Sequence, residues 1–180
     1  MLDNLKPLYN FKEFIMNKKF LKFSLVLCAS IFMAISCSSN SKPEEKKDWN
    51  GPTLTQGAQY NSPLEVNIPN SGNIAVEIPV SVNSEVKDVA FDFISGIEID
   101  PNTGADKTGT GIAKIESKDI VANSFKYDNG KISFEIAEAQ GASINERTMR
   151  LAFKVTSSTH KDYTMSVFVS FAQSGMGVQY

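Results

Sequence analysis

Ile74-Ala75-Val76-Glu77-Ile78-Pro79-Val80-Ser81-Val82 puts Ile74, Val76, Ile78, Val80 and Val82 at every second position. Side chains of a strand alternate between faces, so these five share one face of a half-buried sheet. Pro79 lies off that face and lacks a ladder donor, which predicts an edge or a bulge there. Working outward, the same alternation predicts strands at Leu64 to Ile68, Val86 to Ile94, Ile97 to Asp100, Gly111 to Glu116, Ser124 to Tyr127, Lys131 to Ala137, Thr148 to Thr156 and Tyr163 to Ala172. Asn129-Gly130 tolerates the positive φ that a two-residue hairpin loop demands, so it joins Phe125 to Tyr127 with Ile132 to Phe134. Leu151, Phe153 and Val155 alternate against Met165, Val167, Val169 and Phe171, which predicts a long closing hairpin. No stretch has a helical period of useful length, though Lys118 to Ala122 has room for one turn. About eight to nine short strands parted by turn residues predict an all-β antiparallel sandwich over 53–180.

Upstream of that body the pattern changes. In Met16 to Cys37, MNKKFLKFSLVLCASIFMAISC, Lys18, Lys19 and Lys22 precede an apolar run from Phe23 to Ile35, and small residues lead up to Cys37. A run of about a dozen residues is short of the roughly 20 that span hydrocarbon, so a removable signal is favoured. The alternatives are an ordinary secretory signal cut nearby and an uncleaved anchor. A basic start normally follows the initiator directly, which points to Met16 as the start and to residues 1–36 as an extension plus signal peptide. The segment resembles the bacterial lipobox, with Ala34 where that motif usually has Leu. The resemblance implies diacylglycerol on the Cys37 thiol and cleavage between Ser36 and Cys37. Several acyl chains, at about 0.8 kcal/mol per buried methylene, make a durable membrane anchor. Residues 37–52 then begin with the lipidated cysteine and a polar, charged tether, Ser38 to Asp48. Its composition is similar to the tethers of surface lipoproteins from the Bacteroides group. Ser38 after the cysteine implies the outer membrane, with the body facing either the periplasm or the cell surface.

Cleavage before Cys37 leaves about 144 residues, enough for one domain with a substantial core. That stretch holds 13 Lys and Arg against 18 Asp and Glu, a net charge of −5. Phosphate binding needs a concentrated basic face, so nucleic acid is disfavoured as a partner. Cys28 leaves with the signal and Cys37 carries lipid, so no thiol remains for a disulfide or a redox pair.

The closing hairpin carries a family likeness. Asn145 to Ser157, Tyr163 to Phe171 and Gln173-Ser174-Gly175 resemble the last two strands of BACON-type domains, and Ser71-Gly72-Asn73 leading into Ile74 to Val82 is similar to their early strands. The likeness covers about half of the mature chain. The tryptophan that many members carry after the early strand is replaced by Phe91 and Phe93 nearby, and Gly104 to Ser124 is additional sequence. The resemblance implies an immunoglobulin-like fold, extracellular placement and a proposed association with carbohydrate.

Candidate chemistry is sparse. His160, the only histidine, sits in the polar run Ser157 to Asp162, where a solvated surface role is expected rather than metal ligation or base catalysis. Asp92, Glu98, Asp100, Asp106 and Glu116 could serve a glycosidase, but acidic residues on alternating strands usually form the solvated face. Asp100 to Asp106 has oxygen ligands and a glycine but no terminal bidentate acid, which favours a turn over a calcium loop. Gly104, Gly109 and Gly111 match no phosphate loop. These readings point to a protein without catalytic residues, metal or cofactor. Sugar-binding sandwiches use exposed aromatic rings, which makes Trp49, Tyr127 and Tyr163 the first candidate ligand contacts, ahead of Tyr60 and Tyr180. The expected roles are a non-catalytic module binding a glycan or other extracellular ligand, or a structural subunit or spacer docking an envelope protein, for instance along a sheet edge.

Overall fold

In the computed structural model the run that starts at Ile74 is a strand with its apolar side chains on one face: Ile74, Val76 and Ile78 have no exposed surface. The chain divides into two units, Met1–Glu44 and Glu45–Tyr180, and residues 44–173 are described. The readings placed on Met16, on the signal through Ser36 and Cys37, on most of the tether, and on Ser174, Gly175 and Tyr180 lie outside the described residues.

Among the described residues the strands are β1 (Thr53–Leu54), β2 (Leu64–Ile68), β3 (Ile74–Ser81), β4 (Ala90–Glu98), β5 (Lys114–Glu116), β6 (Lys126–Asp128), β7 (Lys131–Ile136), β8 (Arg147–Thr156) and β9 (Tyr163–Gln173). They make two sheets, ordered β1-β3-β7-β6 and β2-β9-β8-β4-β5. The sheets face one another across an apolar core: Phe134 of β7 meets Phe93 of β4 at 5.8 Å and Phe153 of β8 at 6.0 Å between ring centroids. Phe125 stacks on Phe134 at 5.6 Å. The chain is therefore an all-β sandwich, its inner faces supplied by the period-two pattern.

Local signals act as their chemistry requires. Asn129 and Gly130 have φ of 49° and 72°, which matches the right-handed twist of the strands they join. β8 and β9 pair without interruption from Arg147 opposite Phe171 to Val155 opposite Tyr163. Pro79 needs no bulge. Its carbonyl is turned toward the short strand β1, where it accepts from the Thr55 N–H at 3.5 Å, so its missing donor falls on the sparsely paired side of β3.

Three features depart from the expectations. β2 runs parallel to β9, from Leu64 opposite Val169 to Ile68 opposite Gln173, so the larger sheet is mixed rather than antiparallel throughout. Alternation selects a buried face but says nothing about the direction of the neighbour. Parts of the two expected runs Val86 to Ile94 and Ile97 to Asp100 merge into one strand, β4 (Ala90–Glu98), with a bulge where Phe93 pairs with Phe153 and Ser95 with Ala152. Ile94, the residue left over, is 46 % exposed. A one-turn helix, α1 (Gly141–Ile144), and 3-10 turns at Ser117–Asp119 and Glu138–Gln140 occupy the connections, the first close to the turn expected from Lys118. α1 is too short for an apolar period to be read, yet Ile144 is fully buried.

Candidate functional site

The last residues of the stretch read as tether are pinned to the β8–β9 connection. The Lys47 N–H donates to the Thr159 carbonyl at 3.0 Å, and the Lys161 N–H donates to the Lys47 carbonyl at 2.9 Å. Lys46 Nζ donates to the Ser157 carbonyl at 2.6 Å, and Lys161 Nζ meets Asp48 at 2.9 Å. This short parallel pairing delivers Trp49 to one end of the sandwich. The indole Nε1–H donates to the Lys161 carbonyl at 2.6 Å, which fixes the ring. The ring lies over His160, with centroids 5.7 Å apart, and meets Tyr163 edge-on at 6.3 Å. Gly51, at φ 77°, carries the chain across the Tyr163 ring so closely that a Cβ would collide with it.

His160 is only 6 % exposed, which corrects the solvated-surface expectation. Its neighbours explain the burial. The Ser157 hydroxyl donates to the Lys87 carbonyl at 2.7 Å and accepts from the backbone N–H groups of Thr159 and His160 at 3.1 and 3.3 Å. That fills its donor and both lone pairs. Thr159 Oγ1 accepts from the Lys87 N–H at 3.1 Å and lies 2.9 Å from His160 Nδ1. The Ser157 oxygen is thus saturated, and a Thr159 hydroxyl that donates to Nδ1 leaves the ring proton on Nε2. Nε2 has no hydrogen-bond partner among the described residues, and His160 borders open space at this end of the sandwich. The same counting removes Ser157 as a nucleophile, since its proton is committed to a carbonyl and not to the imidazole.

That open space is a groove of about 560 Å³ lined by Asp48, Trp49, Asn50, Gly51, Thr53, Ser81, Asn83, Glu85, Val86 and His160. It brings together an indole, an imidazole N–H, two carboxylates and several amide and hydroxyl groups. Of the sequence candidates, Trp49 lines it. Tyr163, 37 % exposed, stands behind Trp49 with Gly51 over its ring, so it supports the indole rather than forming the wall. Tyr127 lies elsewhere, half-buried on β6 against Phe91 at 4.7 Å. Tyr60 packs edge-on against Phe168 at 6.4 Å, with Gly104 against its ring. Sequence reasoning missed Glu85, Asn83 and His160 as groove residues. The hydroxyl pair Ser157 and Thr159 beside a lone histidine was the legible signal, because such residues trade hydrogen bonds with nearby backbone and fix a loop.

The acidic residues are employed structurally. Glu98 is 2 % exposed, a correction to its expected place on the solvated face. It meets Lys107 Nζ at 2.6 Å and Arg147 Nη1 at 2.8 Å, and Oε2 accepts from the Ala113 N–H at 3.0 Å. Burial pushes its carboxyl up, but these three donors together outweigh burial and hold it at about 2. Asp106 is held below its ordinary value by a two-pronged pairing with Arg150, at 2.9 and 2.5 Å. Asp100 closes the turn anticipated there, its side chain accepting from the Asn102 N–H at 2.8 Å and its carbonyl from the Gly104 N–H at 2.8 Å. Among the described residues no three His, Cys, Asp or Glu side chains converge as a metal site would require, and no helix is long and apolar enough to cross a membrane.

Set against known proteins, the chain matches no family model and no curated protein sequence.

Proposed function

We propose that this chain is a lipid-anchored outer-membrane protein whose immunoglobulin-like body binds an extracellular ligand, with glycan as the favoured chemistry, in the groove beside Trp49 and without catalysis. The observation that carries the binding reading is the immobilised indole of Trp49 set beside the buried imidazole of His160 in one groove. An indole face covers the apolar face of a pyranose, and a fixed donor orients a hydroxyl oxygen.

The strand order supports an immunoglobulin-like topology. With β1 to β9 lettered A, A′, B, C, C′, D, E, F and G, the sheets read A-B-E-D and A′-G-F-C-C′. The first strand is shared between the sheets, and its second half runs parallel to the last strand. The anchor rests on Cys37 and its lipobox-like approach. The body then faces the periplasm or the exterior.

Two measurements test this reading. Radiolabelled palmitate enters the parent protein and fails to enter a Cys37→Ser variant; label that persists in the variant refutes the anchor. An array of extracellular glycans captures the purified protein, and Trp49→Ala abolishes capture at a temperature where circular dichroism shows the variant still folded. A second reading is an envelope subunit or spacer that docks a partner protein, for which Ile94, exposed at the bulge of β4, is the position to probe. Silence on the array, with a crosslink in membranes that runs through position 94, selects it.

A further inference from the structure

We propose that the groove takes a neutral, hydroxyl-rich ligand, the chemistry of an uncharged oligosaccharide, and refuses acidic ones, with His160 and Glu85 setting that choice. The inference rests on the groove being a binding site and adds the class of ligand. Its electrostatics decide it. The ionisable lining groups are the carboxylates of Asp48 and Glu85 and the imidazole of His160; Lys and Arg contribute nothing to the lining. Asp48 is already answered by Lys161 Nζ at 2.9 Å. Glu85 has no ion-pair partner among the described residues, and its backbone N–H is held by Asn83 Oδ1 at 3.0 Å, which fixes the loop that carries it. A uronate or sulfate entering here would face a carboxylate with no ion-pair partner among the described residues, and like charges repel at close range.

The neutral chemistry is met group by group. His160 is more than nine-tenths buried and its Nδ1 is bound to the Thr159 hydroxyl, so the ring is fixed and Nε2 is the nitrogen left to meet a ligand oxygen in the groove. The Glu85 carboxylate is acceptor-only and suits hydroxyl donors, and the Asn83 amide can serve as either. Trp49, its own N–H satisfied by Lys161, offers its ring to an apolar sugar face. Two adjacent ligand hydroxyls, one accepting and one donating, fit this set, and a carboxylate fits only one half of it.

The only tryptophan of the chain forms the groove wall, so its emission reports on this place alone. The full protein is titrated with cellohexaose, laminarihexaose and mannohexaose as neutral probes and with hexagalacturonate as the acidic one. The expected result is a saturable change in tryptophan emission with at least one neutral probe and none with hexagalacturonate. Glu85→Lys, on an exposed side chain, then admits hexagalacturonate with an affinity that falls as salt is added. His160→Phe keeps an aromatic ring, removes the donor and weakens the neutral probe about tenfold. Hexagalacturonate binding the parent as tightly as the neutral probes overturns the neutral-ligand inference and leaves the groove standing as a site. Unchanged emission with every probe overturns both. A neutral probe that binds the Glu85→Lys and His160→Phe proteins as it binds the parent overturns the roles given to those two side chains.

Discussion

Replacing Glu98 by Gln removes one negative charge from the interior of the larger sheet's rim and leaves Lys107 and Arg147 facing an amide. The magnitude follows from the carboxyl itself. Its ordinary value of 4.5 falls to about 2 in the folded protein, and at about 1.4 kcal/mol per unit the ionised form contributes about 3 kcal/mol to folding. The sign is that of a depressed acid: the contribution is complete above pH 4.5 and is lost as pH falls from there toward 2. Lys107 and Arg147 are 41 and 43 % exposed, so water takes up their charge in the variant and the loss stays near that figure rather than exceeding it. Urea unfolding at pH 7, followed by far-ultraviolet circular dichroism, gives Glu98→Gln less stable than the parent by about 2 to 3 kcal/mol, a midpoint lower by about 1 to 2 M. At pH 2.5 the two curves approach within about 1 kcal/mol, because the parent's carboxyl is by then becoming protonated. A variant that matches the parent at pH 7, or that loses stability in acid in parallel with it, refutes the account of this cluster.

Three further substitutions probe the strand packing and the turn over Tyr163. Phe153→Ala opens the aromatic contact between the sheets, where Phe153 is fully buried against Phe93, Phe125 and Phe134, and lowers unfolding free energy by about 3 to 5 kcal/mol in the same urea assay; a loss under about 1 kcal/mol contradicts the packing. Gly51→Ala and Gly72→Ala both place a side chain at positive φ, but only the first meets a ring, so Gly72→Ala costs about 1 kcal/mol and Gly51→Ala clearly more; equal melting temperatures for the two variants count against the Gly51–Tyr163 contact.

What the sequence made legible was whatever depends on a few neighbouring residues. Leu64 to Ile68 and the Ile74 run declare their buried face by period, Asn129-Gly130 declares its turn by backbone freedom, and the closing hairpin declares its register by matched alternation. What stayed hidden depends on partners far along the chain. Glu98 reads as one more acid on an alternating strand, and only the arrival of Arg147 from β8 and of Lys107 from the connection between β4 and β5 makes burial tolerable. The parallel pairing of β2 with β9 joins segments about a hundred residues apart, and no local period encodes its direction. His160 followed the same rule. Its flanking sequence is polar, as a surface loop should be, yet those hydroxyls are turned inward to satisfy the backbone of Lys87 and the imidazole itself.

The position of the groove follows from where the sheet pattern runs out. Tyr163 opens β9 with inward parity, two residues before Met165, so its ring belongs to the core face of the larger sheet. At this end the smaller sheet runs out in β1, two residues long, and in the last residue of β3, Ser81, paired with Thr53. A sandwich end left this way has apolar surface and no strand to cover it. The chain closes it with residues that are not in strands, Trp49 laid down by the Lys47 to Thr159 pairing and His160 turned in from the hairpin loop. Loop residues that plug a core carry polar atoms that strand residues do not, and one of them, His160 Nε2–H, has no protein acceptor among the described residues. Open to the groove, that nitrogen is served by water until a ligand oxygen replaces it, so the residues that cover the core here are also the ones to which the proposed ligand site is assigned.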